Sequence, residues 1–198
     1  MDFHSPESIA HVLAVCSEIT NLAFRDLMGG PTLLPILDPL LLQRLSIAPY
    51  RLFFGMERMV FTRPLFSRIT HLDILDWHEE GWAIWSGLAQ MPCLTHLSFS
   101  YHDFTPYRTC RDILQNCKAL EVLAVLCAAE EMLPRFLEQG RDLDSDPRFV
   151  VVVVQDDLLD WEIGAQGGKD YWSMADEMVM QRRLTMAVPD RLGSASGM

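Results

Sequence analysis

Basic residues are scarce in this sequence: 16 Lys and Arg stand against 27 Asp and Glu, a formal net charge of −11. Nucleic-acid binding draws most of its affinity from cations that neutralise phosphates, so this balance argues against a DNA or RNA partner. Cysteine is equally uninformative as a framework. The five cysteines (Cys16, Cys93, Cys110, Cys117, Cys127) are odd in number and form no Cys-x-x-Cys pair. Such usage disfavours a disulfide scaffold or a zinc site and suits thiols in a reducing compartment. No apolar run reaches the roughly 18 residues that span a bilayer, and residues 1–7 carry two acids and no basic n-region of a signal peptide. The expectation is an intracellular protein, cytoplasmic or nuclear, without nucleic-acid or membrane partners and without a cofactor.

What the sequence does have is a period. Six segments share the pattern apolar-x-x-apolar-x-apolar: Ile19-Leu22-Phe24, Leu42-Leu45-Ile47, Ile69-Leu72-Ile74, Leu94-Leu97-Phe99, Leu120-Leu123-Val125 and Phe149-Val152-Val154. Their central residues are separated by 23, 27, 25, 26 and 29 positions, in or at the edge of the range of about 20–29 that marks leucine-rich repeats. In each segment the last apolar pair, at i and i+2, points to one side of a short strand. Stacking such strands in parallel makes one continuous core. Helix-like stretches at 8–15, 82–90, 109–116 and 130–139 supply crossovers between strands. Ile69-Thr-His-Leu72 and Leu94-Thr-His-Leu97 are near copies, 25 residues apart. Cys16, Cys93 and Cys117 each precede a strand, where a small apolar group is expected beneath the turn.

The predicted fold is therefore α/β: a short, irregular leucine-rich-repeat solenoid, with a parallel sheet of about six strands and helices on its convex side. A generic doubly wound α/β domain is the competing architecture. A single domain over residues 1–183 is expected. Asp170 caps a final helix over 170–183 that turns Trp172, Ala175 and Val179 inward and carries Arg182 and Arg183 at its end. Trp161 packs nearby, and residues 184–198 lose all periodicity and are expected to be disordered.

Segments such as Arg63-Pro-Leu-Phe-Ser-Arg-Ile-Thr-His-Leu-Asp73 and Met91-Pro-Cys-Leu-Thr-His-Leu97 resemble the repeat regions of fungal F-box/leucine-rich-repeat proteins. The tail is similar too, in Asp146-Pro-Arg-Phe-Val150, Asp160-Trp-Glu and Gly167-Gly-Lys-Asp-Tyr-Trp172. The likeness covers roughly residues 8 to 183. It implies a module that selects substrates for a cullin ubiquitin ligase. The 18 residues ahead of Ile19 are too few for an F-box, so the recruiting helices are expected to be absent.

Strand positions between the core residues form two columns on the concave face. One reads Asn21, Arg44, His71, His96, Val122, Val151 and the other Ala23, Ser46, Asp73, Ser98, Ala124, Val153. With strands about 4.8 Å apart, His71, Asp73, His96 and Ser98 become one polar cluster. These are the residue types of a serine–histidine–aspartate triad, but an open sheet face offers neither a strained nucleophile turn nor an oxyanion hole. A polar, partner-facing surface is expected instead, over an apolar floor for the tail at the C-terminal end. A small α/β hydrolase-like enzyme using His71 or His96 is the alternative, and it predicts a reversal of strand order.

A second candidate surface lies in 44–68, where Arg44, Arg51, Arg58, Arg63 and Arg68 face a single acid, Glu57, and interleave with Phe53, Phe54, Phe61 and Phe66. Arginine and aromatics dominate interface hot spots. The plainer reading puts the phenylalanines in the core and pairs the arginines with acids of neighbouring repeats. Gly164, Gly167 and Gly168 match no phosphate-loop spacing and read as a turn. The expected function is protein binding by a monomeric, non-enzymatic module, through Arg44, Arg51, Arg58, Arg63, His71, Asp73, His96 and Ser98.

Overall fold

The computed structural model describes residues 6–25, 30–75, 81–100, 107–134, 138 and 140–187. Six strands form one all-parallel sheet in the order in which the chain makes them. They are β1 (Asn21–Ala23), β2 (Arg44–Ile47), β3 (His71–Ile74), β4 (His96–Ser100), β5 (Val122–Cys127) and β6 (Phe149–Val153). No strand is skipped, so the order reversal that the hydrolase alternative requires is missing from this sheet.

From β1 to β5 the register aligns the periodic leucines: Leu22 with Leu45, Leu45 with Leu72, Leu72 with Leu97, Leu97 with Leu123. The junctions repeat as well. The Thr20 carbonyl accepts from the amides of Gln43 (2.8 Å) and Arg44 (3.0 Å), and the Gln43 carbonyl from Thr70 (2.8 Å) and His71 (3.1 Å). The Thr70 carbonyl accepts from Thr95 (3.0 Å) and His96 (2.9 Å), and the Thr95 carbonyl from Glu121 (2.7 Å) and Val122 (3.1 Å). One acceptor with two lone pairs thus fixes the entry of each following strand.

Below the sheet lies the larger core. Leu45, Leu72, Leu97 and Leu123 are fully buried there with Ile47, Ile74, Phe99 and Val125; each such side chain contributes about 1.5–3 kcal/mol through burial. The helices that cover it include α1 (Pro6–Val15), ahead of β1, and the crossover helices α2 (Leu34–Leu37), α3 (Pro49–Leu52) and α4 (Trp82–Trp85), which tightens into a 3-10 turn at Ser86–Gln90. α5 (Tyr107–Asn116) buries Thr109, Cys110, Ile113 and Leu114 along one side, the spacing an amphipathic helix requires. The helix expected over 130–139 begins as a 3-10 turn at Glu130–Met132, and part of that stretch lies outside the described residues.

Two expectations are corrected. β6 pairs Phe149 with Leu123 and Val152 with Leu126, three positions from the alignment that the repeat pattern suggested. Phe149 and Val151 therefore enter the larger core, and Val150, Val152 and Val154 line the other face. In an unbroken valine run parity is unmarked, and the bulky Phe149 ring takes the leucine position. Of the cysteines that precede strands, Cys117 is buried, whereas Cys16 and Cys93 are exposed.

The opposite face of the sheet is covered by the tail. α7 (Tyr171–Ala187) packs on β5 and β6 with α6 (Asp157–Ala165) beside it, and Tyr171, Trp172, Ala175 and Val179 are buried against Val122, Ala124, Val150 and Val152. α7 runs four residues past the expected end at Arg183, so part of the stretch expected to be disordered is helical. Residues 188–198 lie outside the described residues.

Candidate functional site

The sheet brings five of the predicted residues together. Arg44, His71 and His96 align across β2, β3 and β4, and Asp73 aligns with Ser98 one position inward. Their surroundings differ from the solvent-facing cluster expected from the strand pattern: Asp73, His96 and Ser98 are buried. The cause is the start of α7, which carries Asp170, Tyr171, Trp172 and Asp176 onto this part of the sheet.

Asp170 is the anchor. Its Oδ1 accepts from the Ser173 amide (3.0 Å) and hydroxyl (3.1 Å), the N-cap arrangement of α7. Its Oδ2 accepts from Arg44 Nη2. The Arg44 guanidinium also lies 4.9 Å from the centre of the Trp161 ring, a cation–π contact. A Cβ at Gly164 would collide with the Asp170 carboxylate, and one at Gly168 with the Ile163 side chain. Gly167 has φ +84, the left-handed region that favours glycine. The turn between α6 and α7 thus accounts for all three glycines.

Next to this anchor the His71 and His96 rings stack at 4.1 Å between centroids and 13° between planes, with Trp172 edge-on to both. Thr70 and Thr95 hydroxyls lie 2.8 Å from the respective Nδ1 atoms, so the two Ile-Thr-His-Leu copies are used identically. His96 Nε2 donates to Asp176 Oδ1 at 3.0 Å. Burial, reinforced by His96 and Arg44, lowers the His71 pKa to about 3, which leaves its imidazole neutral at physiological pH. Stacked rings aim their nitrogens along parallel planes rather than at one point. Among the described residues no three His, Cys, Asp or Glu side chains group as metal ligands.

Asp73 is fully enclosed. Ser46 Oγ donates to its Oδ2 and Ser98 Oγ to its Oδ1, both at 2.7 Å. Burial nevertheless raises its pKa to about 6, with the two serine hydrogen bonds acting in the opposite direction. Ser98 is therefore bonded to the carboxylate and not to either histidine, and the serine–histidine–aspartate residue types are not wired as a relay. The Tyr171 hydroxyl is buried near Asp73 and Ser98 without a hydrogen bond of ordinary geometry among the described residues.

The arginines of 44–68 separate. Arg63 forks onto Asp38, its Nε donating to Oδ1 at 3.2 Å and its Nη2 to Oδ2. Phe53, Phe61 and Phe66 are buried and pack on one another, with only Phe54 of the four exposed. That is the plainer of the two readings of this stretch. Arg58 is exposed beside a shallow cleft with Thr62, Gly87 and Gln90. Arg51 is exposed elsewhere, at the carboxyl ends of the strands.

There it lines a cavity of about 360 Å³ with Arg25, Ser100, Leu126, Val154 and Asp157. Arg25 Nη2 pairs with Asp157 Oδ2 at 2.8 Å, and Ser100 Oγ donates to the same oxygen at 3.4 Å. Arg25, Ser100 and Asp157 were absent from the sequence-based candidates. They stand at strand ends or just beyond, where no periodicity marks them; the signal available is that parallel strands bring all their carboxyl ends to one edge.

Comparisons with protein-family models, with curated proteins and with solved structures give no match. No helix among the described residues is long and apolar enough to cross a membrane.

Proposed function

We propose that this chain is a leucine-rich-repeat-type, non-enzymatic protein-binding module, akin to the substrate-recognition part of an F-box ubiquitin-ligase subunit. The observation that carries the reading is the recurrence of one junction: four successive strands are entered through a carbonyl that accepts two consecutive amides. Recurrence of backbone geometry at the spacing of the leucines is what stacked repeats require. Binding is favoured over hydrolysis by the wiring of the polar cluster, in which Ser98 serves Asp73 and each histidine faces a threonine.

The inner face is occupied by α7 from Arg44 to β6, so the binding surface in this reading is the carboxyl edge of the sheet with Arg51. The test is affinity capture from an extract of the source cells with the wild-type chain, Arg51→Glu and the pair His71→Gln/His96→Gln. A partner lost with Arg51→Glu and retained by the folded histidine variant supports the reading. Retention by Arg51→Glu with loss in the histidine variant would move the site beneath α7. Recovery of ubiquitin-ligase subunits would give the F-box resemblance functional content.

A further inference from the structure

We propose that the open edge of β1 is a docking site for an extended segment of a partner protein, one that joins the sheet parallel to β1, carries alternate apolar residues and is flanked by Lys or Arg. This surface is separate from Arg51 and the carboxyl edge, and stands independently of the function proposed for them. β1 pairs with β2 alone. The Thr20 carbonyl accepts from the Arg44 amide, and the Phe24 amide donates to the Ser46 carbonyl at 2.8 Å. Successive residues of a strand turn their backbone groups to opposite sides, so Asn21 and Ala23 face away from β2. β2, β3, β4 and β5 each enter the sheet with two consecutive amides on one carbonyl of the strand before. The equivalent amides of β1, those of Thr20 and Asn21, have no such acceptor among the described residues. One more strand in the same direction supplies it, in the geometry the chain already uses four times.

The side chains at this end are short of cover. Leu45, Leu72 and Leu97 are fully buried, whereas Leu22, aligned with Leu45, is only partly buried, as are Ile19 and Phe24. In α1, which leads into β1, Val12 and Val15 are 51% and 73% exposed. Edge strands that stay unpaired are blunted by charge or proline; residues 19–24 contain neither. Such an edge recognises an added strand, whose main-chain hydrogen bonds give affinity and whose alternate side chains give specificity. Charge decides what adds. Residues 1–24 carry three acids, Asp2, Glu7 and Glu18, and no Lys or Arg. Two copies meeting at this end would bring like charges together, whereas a basic flank is attracted to it.

The probe is a fluorescein-labelled synthetic peptide, two lysines followed by the sequence of residues 68–75, which includes β3. Fluorescence anisotropy reads its binding to the full chain. In β3 the backbone of Leu72 faces β4 and that of Asp73 faces β2. A methyl group on the peptide nitrogen copied from Leu72 therefore blocks parallel addition to β1. One on the nitrogen copied from Asp73 blocks only addition to the far edge, at β6. The first should weaken binding about tenfold, the effect of one lost hydrogen bond at the strong end of the usual range, and the second should leave it unchanged. Ala23→Pro removes an outward amide, keeps the bonds to β2 and should also weaken binding about tenfold. Urea unfolding checks that this variant keeps the fold, and the methylated peptides test the edge without altering the protein. Glutamates in place of the two lysines should weaken binding, and Arg51→Glu should not. No binding by the folded wild-type chain, a greater loss from the Asp73 methyl than from the Leu72 methyl, or undiminished binding by folded Ala23→Pro would each overturn the docking site. Self-association of the chain that Ala23→Pro abolishes would overturn it as well, by giving the edge to a second copy.

Discussion

Asp170 serves two elements at once, with one oxygen capping α7 through Ser173 and the other accepting from Arg44, 126 residues earlier on β2. This carboxylate fixes where the tail helix starts and which strand it starts on. The ion pair is almost enclosed, with side-chain exposures of 17% for Arg44 and 4% for Asp170. Breaking such a pair leaves a charge without a partner, which costs more than the pair contributes.

Asp170→Ala should therefore lose the cap and leave Arg44 without its anion, on the order of 4 kcal/mol in total, while Asp170→Asn, which breaks the same pair but keeps a capping oxygen, should lose less. Urea midpoints of the two variants against wild type check the order. Equal losses would mean that the cap contributes nothing.

A half-buried imidazole and a buried carboxyl on the same face oppose each other in acid. His71 titrates near 3 in the folded chain against 6.5 when free, so it costs stability as pH falls from 6.5 towards 3. Asp73 titrates near 6 against 3.8, so its protonation adds stability as pH falls from 6 to 3.8. Each effect is on the order of 3 kcal/mol, and between pH 6 and 4 they offset. Asp73→Asn should steepen the loss of stability between pH 6 and 4, and His71→Gln should flatten or reverse it. Urea unfolding from pH 8 to 4 reads both slopes. Parallel curves for the three proteins would refute the burial of these groups.

The register of β6 makes a third prediction. Val152 lies beneath α7, whereas Val153 is only partly buried. Val152→Asp should cost more than about 3 kcal/mol, as an unpaired charge buried in the tail interface, and Val153→Asp clearly less. The expected alignment would have placed Val153, not Val152, in the column beneath the tail, so the reverse order in thermal unfolding would restore it.

Five of the six strands were legible because leucine at fixed spacing leaves one face apolar and the other variable; parity is then written into each segment. Phe149–Val153 has no such contrast, and the sequence pattern slid by three positions. The tail helix was legible from Asp170, Trp172, Ala175 and Val179, which repeat with helical spacing behind a capping residue. Its landing place was not. Arg44, His71, Asp73 and His96 have the polarity of a surface, and only the tertiary fit of Asp170, Trp172 and Asp176 over them turns that surface inward. Arg63 and Asp38 are 25 residues apart, in the segments that lead into β3 and β2, so their pairing becomes apparent only once the sequential strand order is known. Arg25 and Asp157 belong to opposite ends of the sheet and meet only through the three-dimensional fold.

The central claim is that partners are held at the carboxyl edge while α7 remains on the inner face. Amide hydrogen exchange of the chain with and without a captured partner measures this directly. The account predicts new protection around Arg25, Arg51, Ser100 and 155–157, with the slow exchange of α7 unchanged. Faster exchange across α7, with protection gained instead at His71 and His96, would contradict it and place the partner beneath the tail.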